Sequence, residues 1–199
     1  MTPRELIFEA LAFRPVPYVP WSWAATRVCH HNLQAHLGID DLDAFYRPHF
    51  LDLGHAEGHW EYVTDNEAKD IYGVVWDRTI DKDIGTPKAW PLKDPEDLTT
   101  YDWPDPSQDH WYEGLVERIA AAPDRFSRYM IGFSLFERAW TLRGMTELLM
   151  DMVQRPEFVE ELLDRIVEHN LVQVRRALDL GVDGVYFGDD YGMQQGLIM

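Results

Sequence analysis

Two short apolar runs, Tyr129–Phe133 and Gly184–Gly188, constrain this chain more than any other feature, because a helical pattern fills the space between them. Met145, Leu148, Leu149, Met152 and Val153 recur at the spacing of one helix face. A second helix is expected to open at Pro156, with Glu157, Glu160 and Glu161 in its early turns. Phe158, Leu162, Ile166 and Val174 line one side of it, and Gly181 follows its end. Apolar strands alternating with amphipathic helices predict parallel βαβ units and an α/β fold.

The N-terminal portion is read less directly. Leu6, Ile7, Ala10 and Leu11 have helical spacing. Pro15, Pro17 and Pro20 forbid a helix and suit an extended segment, so residues 16–21 are predicted to be a third strand, parallel to the other two in one curved sheet. Ser22 is expected to cap a helix running to about Leu37, where Gly38 ends it. Trp60–Val63 and Ile71–Trp76 read as two strands of an antiparallel excursion around Asp65-Asn66. The proline-rich, acidic stretch Gly85–Pro106 reads as an ordered surface loop whose Trp90 and Trp103 need burial. Ser107 is the expected cap of a helix carrying Trp111, Leu115, Val116 and Ile119.

The chain of 199 residues suits one domain with a substantial core. A net charge of −17 repels phosphate backbones and argues against a nucleic-acid binder. There is no run of the roughly 18 apolar residues that a membrane span needs, and the N-terminus lacks a secretory pattern. A single cysteine, Cys29, cannot form an internal disulfide, so a cytoplasmic setting is expected.

Several segments, in order, resemble the uroporphyrinogen decarboxylase (URO-D) family, which includes corrinoid-protein and coenzyme M methyltransferases. They are Arg14-Pro15-Val16-Pro17, Trp90 to Leu98, Tyr101 to Pro106, Phe136 to Gly144 with Leu149 to Met152, Gly181 to Gly184, and Gly188 to Gly192. The likeness is to a methyltransferase-like branch. Uroporphyrinogen decarboxylases carry Arg-Gln-Ala-Gly-Arg after the first strand, where this chain has Trp21-Ser22-Trp23-Ala24-Ala25. The resemblance implies a (β/α)8 barrel, of which residues 1–199 would be an incomplete N-terminal part. A helical and hairpin excursion would occupy about 22–106, and βα units about 107–199. It also implies methyl transfer involving a corrinoid protein or a thiol, with a small-molecule substrate or corrinoid protein as partner. Porphyrinogen decarboxylation and a fragment without catalysis are the alternatives. Zinc, where the family uses it, would bind in the barrel's second half, so no cofactor is expected within these residues. Such a barrel needs about 250 residues, and the chain stops soon after its last predicted strand, which reads as truncation. A small three-layer α/β domain is the competing reading.

Catalytic groups in barrels cluster at the C-terminal ends of strands. Asp189 and Asp190, just past an apolar strand, are therefore the first catalytic candidates. Glu137, four residues beyond the strand ending at Phe133, is the next. Trp21, Trp23, Phe133, Phe136 and Tyr191 are candidate substrate-binding residues, and Trp21 and Glu137 are expected on the same side as the aspartates. Each has a structural alternative: a turn cap for the aspartates, a helix-dipole charge for Glu137, and packing for the aromatics. His55 and His59 have the spacing of helical zinc ligands, but Gly54 and Gly58 disfavour a helix there. Cys29-His30-His31 lies within a predicted helix that points adjacent residues to different faces.

Overall fold

The computed structural model describes residues 1–54 and 60–198. The chain is a mixed α/β structure with a parallel sheet. Helix α1 (Pro3–Leu11) starts with a capping box, in which the Thr2 hydroxyl accepts from the Glu5 amide and the Glu5 carboxylate accepts from the Thr2 amide. Helix α2 (Arg27–Leu37) is capped by Thr26 and ends at Gly38, whose φ of 68° favours glycine. A short α3 (Leu42–Tyr46) leads into strand β1 (Phe50–Gly54). An antiparallel meander follows: β2 (Glu61–Tyr62), β3 (Glu67–Lys69), β4 (Val75–Asp77) and β5 (Thr86–Ala89). Two 3₁₀ turns, Pro95–Thr99 and Asp109–Tyr112, and helix α4 (Leu115–Ala121) then lead to β6 (Phe126–Ile131). Helices α5 (Phe136–Arg143), α6 (Met145–Gln154) and α7 (Pro156–Asp179) precede β7 (Gly184–Phe187), and a small β8–β9 ribbon (Gly192–Met193 and Gly196–Leu197) closes the order.

The parallel sheet has the order β1-β6-β7, with Leu53 opposite Tyr129 and Tyr129 opposite Val185. The two strands expected near 129–133 and 184–188 are therefore parallel neighbours. The third expected strand, residues 16–21, forms no ladder; Phe50–Gly54 takes that place. Pro17 and Pro20 bring no amide hydrogen to a ladder. The segment meets the residue before β1 instead: the Trp21 amide donates to His49 Nδ1 at 2.8 Å, its carbonyl accepts from the His49 amide at 3.2 Å, and the Tyr18 ring packs on the His49 ring. Two other boundaries move as well. Thr26, not Ser22, caps α2, and Gly114, not Ser107, precedes α4.

The faces of the parallel sheet differ. Leu51, Leu53, Tyr129 and Ile131 are buried beneath Trp111, Leu115 and Ala177. On the other face Asp52 pairs with Arg128, whose guanidinium lies over the Phe50 and Tyr186 rings. A second core joins the meander to α5–α7 through Val74, Trp76, Leu142, Leu148, Leu162 and Ile166. Full burial of a leucine or isoleucine contributes about 1.5–3 kcal/mol, so Leu162 and Ile166 alone fasten α7 firmly. The proline-rich stretch is ordered. The Leu92 amide donates to the Leu142 carbonyl, and the buried Arg143 joins the Leu92 carbonyl to Asp151. Trp90 and Trp103 are half-buried. Among the described residues, no helix is long and apolar enough to cross a membrane.

Candidate functional site

The parallel strands all run toward one end, so residues just beyond β6 and β7 meet there. The pairing continues past the strands: the Gly188 amide donates to the Ile131 carbonyl and the Ser134 amide to the Gly188 carbonyl, both at 2.9 Å. This places Asp189 against the start of α5. That helix needs an outside acceptor, because its N-cap residue is Leu135 and no side chain of its own reaches the first amides. Asp189 supplies one from more than fifty residues away. Its Oδ2 accepts from the amides of Leu135 (2.7 Å) and Phe136 (2.8 Å), and its Oδ1 from the Glu137 amide (2.8 Å). The Ser134 and Tyr191 hydroxyls also donate to it, at 3.3 and 3.1 Å.

Glu137 sits in the first turn of α5, half-buried. Burial, then repulsion from Asp190 and Asp189, pushes its carboxyl up to about 7, despite Arg138. A carboxyl group poised there exchanges a proton readily near neutral pH. Asp190 is exposed and its amide turns back onto Asp189 Oδ1 at 3.1 Å. The site therefore combines one carboxylate committed to a helix terminus with one proton-exchanging acid and one solvent-facing acid.

The structure brings Asp189, Asp190, Glu137, Phe136 and Tyr191 together; the Phe136 and Tyr191 rings lie 6.4 Å apart. These two rings help line an apolar pocket of about 280 Å³ with Met152 and Leu163. Phe133 is close in sequence but faces elsewhere. It has φ of 49°, unusual for a bulky residue, and its ring meets Trp76 at 5.5 Å. Trp21 and Trp23 do not join the cluster. Trp21 packs on His49, ahead of the first residue of β1 and so at the opposite end of the sheet. Trp23 packs on Tyr46 and His30. Within α2, Cys29 is exposed and His30 stacks on Trp23. His55 and His59 lie outside the described residues.

A second polar cluster, unassigned by sequence reasoning, adjoins this end. Asp70 and Arg138 are both buried, with 3.7 Å between Oδ2 and Nη1. Asp70 also accepts from the amides of Tyr72 and Val74 and from Trp76 Nε1, at 2.9–3.0 Å. The Arg138 guanidinium lies over the Tyr72 ring at 3.6 Å, and the Tyr72 hydroxyl meets His169 Nε2 at 3.1 Å. Burial, then the Arg138 charge, lowers His169 to about 4, so the imidazole is neutral at physiological pH. Asp70, Tyr72, Trp76, Phe133 and Arg138 line a cavity of about 170 Å³. The available signal was Asp70 followed by Tyr72, Val74 and Trp76: an aspartate before a turn that exposes successive amides.

Among the described residues, no three His, Cys, Asp or Glu side chains come together to hold a metal ion. Comparison with protein-family models, curated proteins and solved structures finds no match.

Proposed function

We propose that the chain is the N-terminal part of a URO-D-type (β/α)8 barrel whose enzyme transfers a methyl group between a corrinoid protein and a small thiol. One structural observation carries the reading. Three parallel strands lie side by side in sequence order, and a proton-exchanging acid stands at their C-terminal end. Sequential neighbours suit a barrel, whereas a doubly wound sheet reverses its order at a switch point. The family itself rests on the motif resemblance. As the methyl group passes from the corrinoid to the thiol sulfur, the bond to the donor would break with its electron pair left on the corrinoid, the C–S bond would form, and the thiol proton would leave; Glu137 in its carboxylate form is suited to receive that proton. Asp189 holds Glu137 in place by capping the same helix turn. A cytoplasmic location belongs to the same proposal.

The test is turnover by the natural gene product that carries residues 1–199, with methylcobalamin and 2-mercaptoethanesulfonate as probes. Mass spectrometry follows the methyl thioether. The expected result is a rate above the uncatalysed background that falls at least tenfold in Glu137→Gln while thermal stability is retained. Carbon dioxide release from uroporphyrinogen, or no reaction with either substrate, overturns the proposal.

A further inference from the structure

We propose that the recess between Ala24–Arg27 and the antiparallel meander binds a planar aromatic carboxylate. The recess is about 760 Å³, within the usual range for small-ligand sites. The small Ala24 and Ala25 line it, as do Trp60, Tyr62 and Arg78. Arg78 defines what the recess selects. It is 4% exposed, and its guanidinium carbon lies 4.4 Å from the centroid of a Trp60 ring. One terminal nitrogen donates to the Tyr62 hydroxyl at 3.1 Å, and the other to the main-chain carbonyls of Lys82 and Asp83. Its Nε–H is buried with no partner among the described residues.

Each of those partners is neutral. The neighbouring carboxylates are committed elsewhere: Asp83 to Arg27 at 2.9 Å, and Asp81 to the amides of Asp83 and Gly85 at 2.8 and 3.2 Å. Asp81 senses the Arg78 charge, but only as the smallest contribution to its lowered pKa. Among the described residues Arg78 has no ion-paired carboxylate; a buried cation so placed is stabilised by an incoming anion, and a guanidinium N–H without a partner among those residues supplies a charge-assisted hydrogen bond. The Trp60 and Tyr62 rings favour a flat, apolar body on that anion. Trp60 and Asp83 also line the smaller cavity beside Phe133 and Arg138. The assignment does not depend on the methyl-transfer reading.

Calorimetric titration of the native protein with 2-naphthoate tests it, with two controls. One is 2-naphthalenemethanol, which keeps the ring but not the charge. The other is cyclohexanecarboxylate, which keeps the charge but not the ring. Naphthoate is expected to bind one per chain, and each control at least tenfold more weakly. Trp60→Leu and Arg78→Met are each expected to weaken naphthoate at least tenfold. If Arg78→Met does not fold, Trp60→Leu and the uncharged probe decide the matter. No saturable binding of naphthoate, equal affinity for the alcohol, or undiminished binding by Trp60→Leu overturns the proposal.

Discussion

Asp70 and Asp189 do the same work for the backbone in opposite electrostatic company. Each carboxylate gathers successive main-chain amides, Asp70 within the meander and Asp189 at the start of α5. Asp70 faces the buried Arg138 and belongs to a compensated pair. Among the described residues Asp189 accepts from N–H and O–H donors, and it lies beside two further acids, of which Glu137 is pushed up to about 7 by burial and by its acidic neighbours. Cationic compensation makes the first centre a structural anchor. At the second, burial together with the neighbouring carboxylates leaves an acid that changes state near neutral pH, which is the property acid–base chemistry uses.

The largest expected effect lies at the anchor. Asp70→Ala removes the carboxylate that faces the buried Arg138 and the acceptor for the Tyr72, Val74 and Trp76 N–H groups, and is expected to destabilise the fold by about 3–5 kcal/mol. Asp189→Ala removes a cap at a part-buried helix terminus and is expected to cost about 1–2 kcal/mol. Urea denaturation of both variants checks the order, and equal losses would break the distinction drawn between the two centres. Asp189→Ala is also expected to lower the Glu137 carboxyl from about 7 toward its ordinary value, readable by carbon NMR titration.

The pH dependence sharpens the comparison, because the two centres have opposite slopes. In the folded state Glu137 titrates near 7 instead of 4.5, so stability is lost as pH rises from about 4.5 through 7. His169 is lowered from 6.5 to about 4, so its contribution is full above 6.5 and is lost as pH falls through 4. Glu137→Gln is expected to remove the loss on the alkaline side, and His169→Gln the loss on the acid side. Chemical denaturation at closely spaced pH values from 4 to 8 checks both; unchanged slopes in both variants would contradict these assignments. The smallest expected effect is at Tyr191→Phe, which removes one exposed hydrogen bond to Asp189 and is expected to cost about 0.5–1 kcal/mol. A larger loss, measured by thermal melting, would make Tyr191 part of the anchor.

Much of the secondary structure was legible in the residues. Pro156 and the early glutamates marked α7, and Gly38 marked the end of α2. The apolar runs near 129 and 184 marked neighbouring parallel strands. The entry strand was misplaced because extended backbone and hydrogen-bonded strand look alike around prolines. Phe50-Leu51-Asp52-Leu53-Gly54 was overlooked because its charged Asp52 interrupts an apolar run. That aspartate is tolerated because Arg128, in register on β6, pairs with it. Position beyond a strand end pointed to Asp189, Asp190 and Glu137 as candidates, and the fold brings the three together, but the sequence could not show that burial raises the Glu137 carboxyl. It also gave no reason to connect Asp70, Tyr72, Arg138 and His169, which lie on separate elements.

The sequence by itself determined the local choices: where helices begin and stop, which runs are apolar enough to be buried strands, and that acids follow the last of them. These depend on periodicity, capping and backbone restriction, which act within a few residues. Only the tertiary structure decided that Asp189 caps a helix formed more than fifty residues earlier, that Arg138 neutralises Asp70, and that Trp21 stands at the far end of the sheet. Those outcomes depend on burial and on charges brought together by strand register, and neither quantity exists until the chain has folded.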